Sequence, residues 1–433
     1  METRADRVRI SVSLMALVAA VVYLGWFGIV RGAGASDDLA VGYGAGRAWL
    51  QGQDPYDVSV LRDQVSSGDG TTSTVGRLDT LRNVYFPSTL PTFAPLAPAS
   101  WTQAKFAVLA LNVAGSLFIA WGLVRLLGWR YRESHTLILW AFVLALAPLH
   151  TTMAIGQAAI LATAAIVGGM LLERSNRPAM AGVLYGLSIV VKVQIGLPFL
   201  AYLIWRRRWV TASAAGLVAA VLSMVSVLRM VWGGVPWLES WMANLSVLSG
   251  TGGINDPSPA NPERYAMIDL RYLLESVGIG GRWGDAVTFA LIGLAALVTI
   301  VLIRGRHPQR ELLAISLVAV LCLLVTYHRY YDAVLLAFPI AWGISAIPTQ
   351  PGLGLAVLFL SADFLVPAQT ALHDLLGRGM IPSVVSTSAL WDAVLITQHV
   401  WALVLIALVL LWAAWRGGND DQGWWPDGIS AAG

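Results

Sequence analysis

Three observations predict an all-α polytopic membrane protein, with about twelve transmembrane or partly inserted helices. Hydrophobic residues fill 57% of the 433 positions and charged residues only 12%, about half the charge of an ordinary soluble domain. Mean hydropathy is +0.67. Apolar runs of roughly 15–25 residues recur from end to end, long enough to cross a hydrocarbon layer of ~30 Å.

Arginine marks one face of that layer. Lysine occurs only at 105 and 192, and the other cations are arginines clustered between apolar runs. The net charge of +3 and pI of about 9.1 therefore reflect basic loops facing the cytoplasm, and nucleic-acid binding is not expected. The lone Cys322 lies in an apolar run, which leaves no disulfide framework or thiolate metal site. Histidines are scattered singly, and no Walker loop, dinucleotide fingerprint, zinc spacing or serine elbow occurs. No metal or cofactor is expected.

The arginine bias orders the elements. Arg4, Arg7 and Arg9 precede an apolar stretch from Ile10 to Val30. Ala33-Gly-Ala35 resembles a signal-peptidase site, but about 20 apolar residues suit a retained signal-anchor span. Residues 31–101 then lie outside. A span over Gln103–Leu127 returns to Arg125, Arg130 and Arg132, and Thr136–Leu149 with Gly156–Leu172 forms a hairpin with His150 at its outer turn. Residues 179–205 begin and end beside arginines, so they are expected as two short helices meeting at Lys192-Val-Gln194-Ile-Gly196. Val210–Trp232 leads out to a loop over 233–284, and Ala286–Ile303 returns to Arg304, Arg306 and Arg310. Leu312–Thr326 and Tyr331–Ile347 flank a tight outer turn, Tyr327-His-Arg-Tyr330. Leu353–Val366, a loop over 367–390 and Asp392–Trp415 complete a single domain over 1–415, with 416–433 as a cytoplasmic tail. The long connections 31–101, 233–284 and 367–390 all fall outside, so the working face is expected there.

Five places concentrate polar chemistry. Asp37-Asp38 follows the first span, where an aspartate either caps the next helix or takes a proton at the membrane surface. His328, Arg329 and Asp332 share one outer turn, as an aromatic belt with an ion pair or as a phosphate-holding group. Lys192 sits at a helix break, and His150 and Gln157 flank another turn. Trp237, Trp241, Asn244, Asn255 and Asn261 of the second loop offer a sugar-stacking surface or a headgroup anchor.

Four segments resemble the polytopic, polyprenyl-phosphate-sugar-dependent glycosyltransferases of the GT-C superfamily, in particular family GT87. They are Asp38-Leu-Ala-Val-Gly-Tyr43 through Gly52-Gln-Asp-Pro-Tyr56; Tyr85-Phe-Pro87-Ser-Thr-Leu-Pro91 to Leu96; Gly156-Gln157 with Gly182, Gly186 and Lys192; and Tyr327-His-Arg-Tyr-Tyr-Asp332. The family's paired prolines are interrupted here by Ser88-Thr-Leu90. The resemblance implies Asp38 as general base and His328, Arg329 and Lys192 at the donor phosphate. It implies substrate contacts from Asp37, Tyr43, Arg47, Tyr56, His150, Gln157, Tyr327 and Asp332.

The implied reaction is inverting transfer of a sugar, mannose first, from a polyprenyl-phosphate donor at the extracytoplasmic face of a bacterial plasma membrane. The acceptor would be a glycolipid, lipoglycan or other envelope glycan. Arabinofuranosyl transfer is the alternative within the family. A multi-span transporter or lipid flippase would also explain a broken helix at Lys192, and a scaffold subunit would need no catalytic aspartate.

Overall fold

Arginine at one end of the helices and mixed polar residues at the other give the bundle its polarity. A computed structural model describes residues 4–417, apart from positions 35, 79, 132, 304–307, 326, 387 and 389. Ala35, Arg132, Arg304, Arg306, Thr326 and the tail over 418–433, used in the topology above, lie outside the described residues.

The regular structure of the described residues is helical, apart from one isolated β-bridge between Met267 and Arg329. Helix α1 (Arg4–Tyr23) runs through a π-helical stretch (Leu24–Val30) into α2 (Arg31–Gly34). Outside this span lie α3 (Asp37–Gln51), α4 (Val58–Ser66), α5 (Thr72–Arg77) and the single turn α6 (Leu90–Phe93). The membrane core follows with α7 (Trp101–Leu127), α8 (Ser134–Ala145), α9 (Ala147–Ile155), α10 (Ala159–Arg174), α11 (Pro178–Val191), α12 (Val193–Trp205) and α13 (Trp209–Trp232). The second connection carries α14 (Trp237–Ser249) and α15 (Leu270–Ser276), before α16 (Gly281–Leu302) and α17 (Pro308–Val325). Last come α18 (Ala337–Ala346), α19 (Pro351–Ala362), α20 (Ala368–Gly377), α21 (Ser383–Ser386) and α22 (Gln398–Gly417). Six helices among the described residues are long and apolar enough to cross a membrane, and α8 with α9 meets the same test as a pair bent by 43°. Shorter apolar helices complete the set, so several inserted segments are partial.

The bend between α8 and α9 corrects the expected turn at His150. Pro148 lacks an N–H, which leaves the Leu144 carbonyl without its helical partner. His150 Nε2 donates to that carbonyl at 2.7 Å, and its ring packs edge-on against Tyr23. The helix then continues to Ile155, and the turn falls at Gly156-Gln157.

The break at Lys192 is where the sequence places it. Lys192 is extended (φ −153°, ψ 90°) between α11 and α12. A Cβ on Gly196 would fall 2.4 Å from the Ile189 nitrogen, so the two helices fold back on each other there. Helices α10, α11 and α12 have 16, 14 and 13 residues. At ~1.5 Å per residue they span about 24, 21 and 20 Å, less than the ~30 Å hydrocarbon layer. With their arginine ends held at one face, Gln157 and Lys192 are recessed below the other.

That arginine end is tied together by side chains. Arg208 bridges Glu173 and Glu311, and Tyr202 donates to Glu311 at 3.1 Å. Arg174 donates to the carbonyls of Arg125 and Leu126 at the end of α7. At the other end, α3 to α6 enclose a second apolar core of their own, with Tyr43, Tyr56, Leu61, Leu78 and Trp101 buried in it.

Candidate active site

The aspartate pair begins α3 without capping it. The cap is Ser36, which adopts a left-handed conformation (φ 96°) that costs a non-glycine residue energy. Two hydrogen bonds hold it there, from its N–H to the Ala154 carbonyl at 3.0 Å and from Oγ to Gly32 at 3.1 Å. Asp37 and Asp38 thus occupy the first turn, where the helix dipole favours anions. Asp37 pairs with Arg77 at 3.1 Å, away from the cavity described below. Gly156 has φ +72°, and a Cβ there would lie 2.7 Å from Leu39 Cβ, so α3 meets the α9 turn directly. That approach brings Gln157 Nε2 to Asp38 Oδ2 at 2.7 Å.

From Asp38 a buried polar chain runs through three further elements. Lys192 Nζ donates to Gln157 Oε1 at 3.2 Å and pairs with Asp332 Oδ1 at 2.6 Å. His328 Nδ1 donates to Asp332 Oδ2 at 2.9 Å. Lys192 also lies 4.5 Å from the centre of the Tyr331 ring. Since Lys192 fixes which end of the Gln157 amide faces it, the NH₂ group must face Asp38. Burial pushes the Asp38 carboxyl above the usual carboxylate range, opposed by the Gln157 hydrogen bond and the charges of Arg329 and Lys192.

Asp38, Gln157, Lys192, Tyr327, Arg329 and Tyr331 open onto one cavity of about 340 Å³. Apolar side chains form much of the remaining wall, including Phe86, Val191, Trp241 and Leu248. Thr89, inside the interrupted proline segment, donates to the Val190 carbonyl at 2.7 Å and docks that segment on the Lys192 break. Trp241 and Asn255 of the expected sugar surface also reach the cavity. Asn244 and Asn261 are instead spent on main-chain carbonyls, those of Tyr56 and Asn83 and those of Ile254 and Asp256.

Other expected contacts stay behind the wall. Tyr43 donates to the Ala99 carbonyl, and Arg47 to Tyr43, Gln64 and Ala97, so both brace the second core. Tyr56 donates to the Tyr85 carbonyl at 3.0 Å and supports a lining residue from the rear. His150 serves the helix bend. His328 has no exposed surface and approaches the cavity only through Asp332 and Lys192. Asp332 is likewise buried, 1% exposed.

Sequence reasoning missed Arg82 and gave Tyr85 no role. Both line the cavity. The Nε atoms of Arg82 and Arg329 are buried with no hydrogen-bond partner among the described residues. Arg329 otherwise contacts Glu263 at 3.5 Å and the Ile254 carbonyl at 3.3 Å. Two orphan guanidinium N–H groups at one cavity suit an anionic guest. Among the described residues no cluster of histidine, cysteine or carboxylate side chains could hold a metal.

The fold and the site together define a helical membrane protein with a carboxylate and arginines on one cavity. The family model for glycosyltransferase family 87 matches residues 83–326, more than half of the chain, and the protein belongs to that family. It is a membrane glycosyltransferase. The match includes Arg82's neighbours from Asn83 onward, Gln157 and Lys192, and lies between Asp38 and the Tyr327–Asp332 turn. No curated protein and no solved structure matches the chain.

Proposed function

We propose that the protein moves a sugar, mannose first, from a polyprenyl-phosphate donor to a hydroxyl of a lipid-linked or envelope glycan, at the extracytoplasmic face. One observation carries this reading: a hydrogen-bonded carboxylate, Asp38, shares a cavity with Arg329 and Arg82 and with the Lys192 ammonium. Asp38 takes the proton of the acceptor hydroxyl as its oxygen attacks the anomeric carbon. The bond from that carbon to the phosphate oxygen breaks on the opposite side, and configuration inverts. The departing polyprenyl phosphate keeps the electron pair, and its growing charge is met by the guanidinium groups.

In this reading Gln157 positions the base, while Lys192 is held in place by Asp332 and His328. The donor phosphate is thus assigned to Arg82 and Arg329, with Lys192 beside them. The apolar wall at Phe86, Leu245 and Leu248 accommodates the first part of a prenyl chain. The test is transfer by purified protein in nanodiscs, offered polyprenyl-phosphate mannose or polyprenyl-phosphate arabinofuranose with membrane glycolipid. Product from wild type and at least about a hundredfold less from a folded Asp38→Asn variant supports the base and names the sugar. Equal product from both removes Asp38 from the chemistry. Movement of lipid across the membrane without a new glycosidic bond would favour the flippase.

A further inference from the structure

A larger cavity, about 630 Å³, lies at the opposite, arginine-bearing end of the bundle. It opens among the end of α7, the end of α10 and the starts of α13 and α17. Its apolar wall comes from Leu123, Leu127, Met170 and Leu312. Its polar wall comes from Glu173, Arg174, Arg207, Arg208 and Glu311. Arg208 bridges both glutamates, which leaves that triad one negative charge. Arg174 and Arg207 then turn the balance positive. Arg174 donates only to neutral main-chain carbonyls among the described residues.

Arg207 is the more telling of the two. It is exposed, stands in a left-handed turn (φ 54°), and its side chain has no partner among the described residues. The exposed Arg125 and Arg177 adjoin the lining residues Leu126 and Pro178 in sequence and add to the positive field. Trp209 and Val210, 59% and 57% exposed, complete the rim, and the tryptophan is of the type expected where chain meets headgroup. Cations above apolar walls, at the end of membrane helices, match the shape and charge of one ligand class. We propose that this cavity binds an anionic phospholipid, with its phosphodiester between Arg174 and Arg207 and its acyl chains along Leu126, Leu127 and Met170. The site is separate from the sugar-transfer cavity and does not depend on that assignment.

The experiment is native mass spectrometry of delipidated full-length protein in detergent. Phosphatidylglycerol and phosphatidylcholine with matched acyl chains are titrated, and inorganic phosphate is added as a competitor. One saturable phosphatidylglycerol site is expected, at least about fivefold tighter than phosphatidylcholine, and about fivefold weaker in Arg207→Gln. Arg207→Lys should keep most of the binding. Because the Arg207 side chain has no partner among the described residues, its replacement removes no side-chain contact of the fold, and Arg174→Gln gives an independent second variant. Equal affinity for the two lipids, or no change in Arg207→Gln, overturns the proposal. Displacement of the lipid by phosphate at equal concentration would make the site a free-anion site and overturn the lipid assignment.

Discussion

As the proposed base, Asp38 acts only while ionised, and its surroundings pull in two directions. Burial raises its pKa, whereas the Gln157 hydrogen bond and the charges of Arg329 and Lys192 lower it, with burial the larger effect. A base with a raised pKa loses activity as pH falls through that value. The acid limb of kcat/KM is therefore expected above the ordinary carboxylate range. Gln157→Leu removes a bond that favours the charged form, so the limb should move to higher pH while the fold is kept. An unmoved limb would detach Gln157 from the base. Asp38→Asn should lower transfer about 10²–10⁴-fold and abolish the limb. Asp38 was legible because an acidic pair after the first span stands out in so apolar a chain. Arg82 was not, because a lone arginine in a loop acquires meaning only from the cavity it reaches.

Two helices carry the next level of organisation, α11 and α12, because their junction holds Lys192. Asp332 neutralises Lys192 inside the bundle, and removing one partner of a buried pair leaves the other charge uncompensated. Asp332→Asn should destabilise the protein by about 3–5 kcal/mol, measured by thermal unfolding in detergent. Lys192→Met combined with Asp332→Asn should recover part of that loss, since no charge is then stranded. On the other face of α11, Gly182 and Gly186 form a small-residue seam with α13. A Cβ at Gly182 would meet the Thr211 carbonyl at 2.4 Å, and one at Gly186 the Val218 Cβ at 2.7 Å. Gly182→Val should cost about 1–3 kcal/mol through overpacking, and Gly216→Val, where no atom lies near, should be neutral. The arginines at both ends of residues 179–205 made this hairpin legible. The bend at Leu146 was not, because an apolar run bounded by polar residues does not show where a proline frees a carbonyl and a histidine satisfies it.

At the scale of the whole molecule, the donor assignment depends on which side of the membrane the cavity faces. The inner loops inferred from arginine do meet at one end, through Arg208, Glu173, Glu311 and Arg174, and the Asp38 cavity lies at the other. A dozen hydrophobic runs were readable in the sequence, but hydropathy does not reveal that α10, α11 and α12 are too short to carry their junctions to the outer surface. Charge bias predicts that the arginine end is cytoplasmic. Cysteine labelling tests this directly, because the native Cys322 is 2% exposed and should stay silent. Ser73→Cys, on the exposed surface of α5, should react with an impermeant maleimide in intact spheroplasts. Ser175→Cys, exposed at the end of α10, should react only after permeabilisation. The reverse pattern would turn the Asp38 cavity toward the cytoplasm, where nucleotide sugars are present. A lipid-linked donor would then lose its main physical argument, and the arginines at that cavity would have to be tested against a nucleotide diphosphate instead.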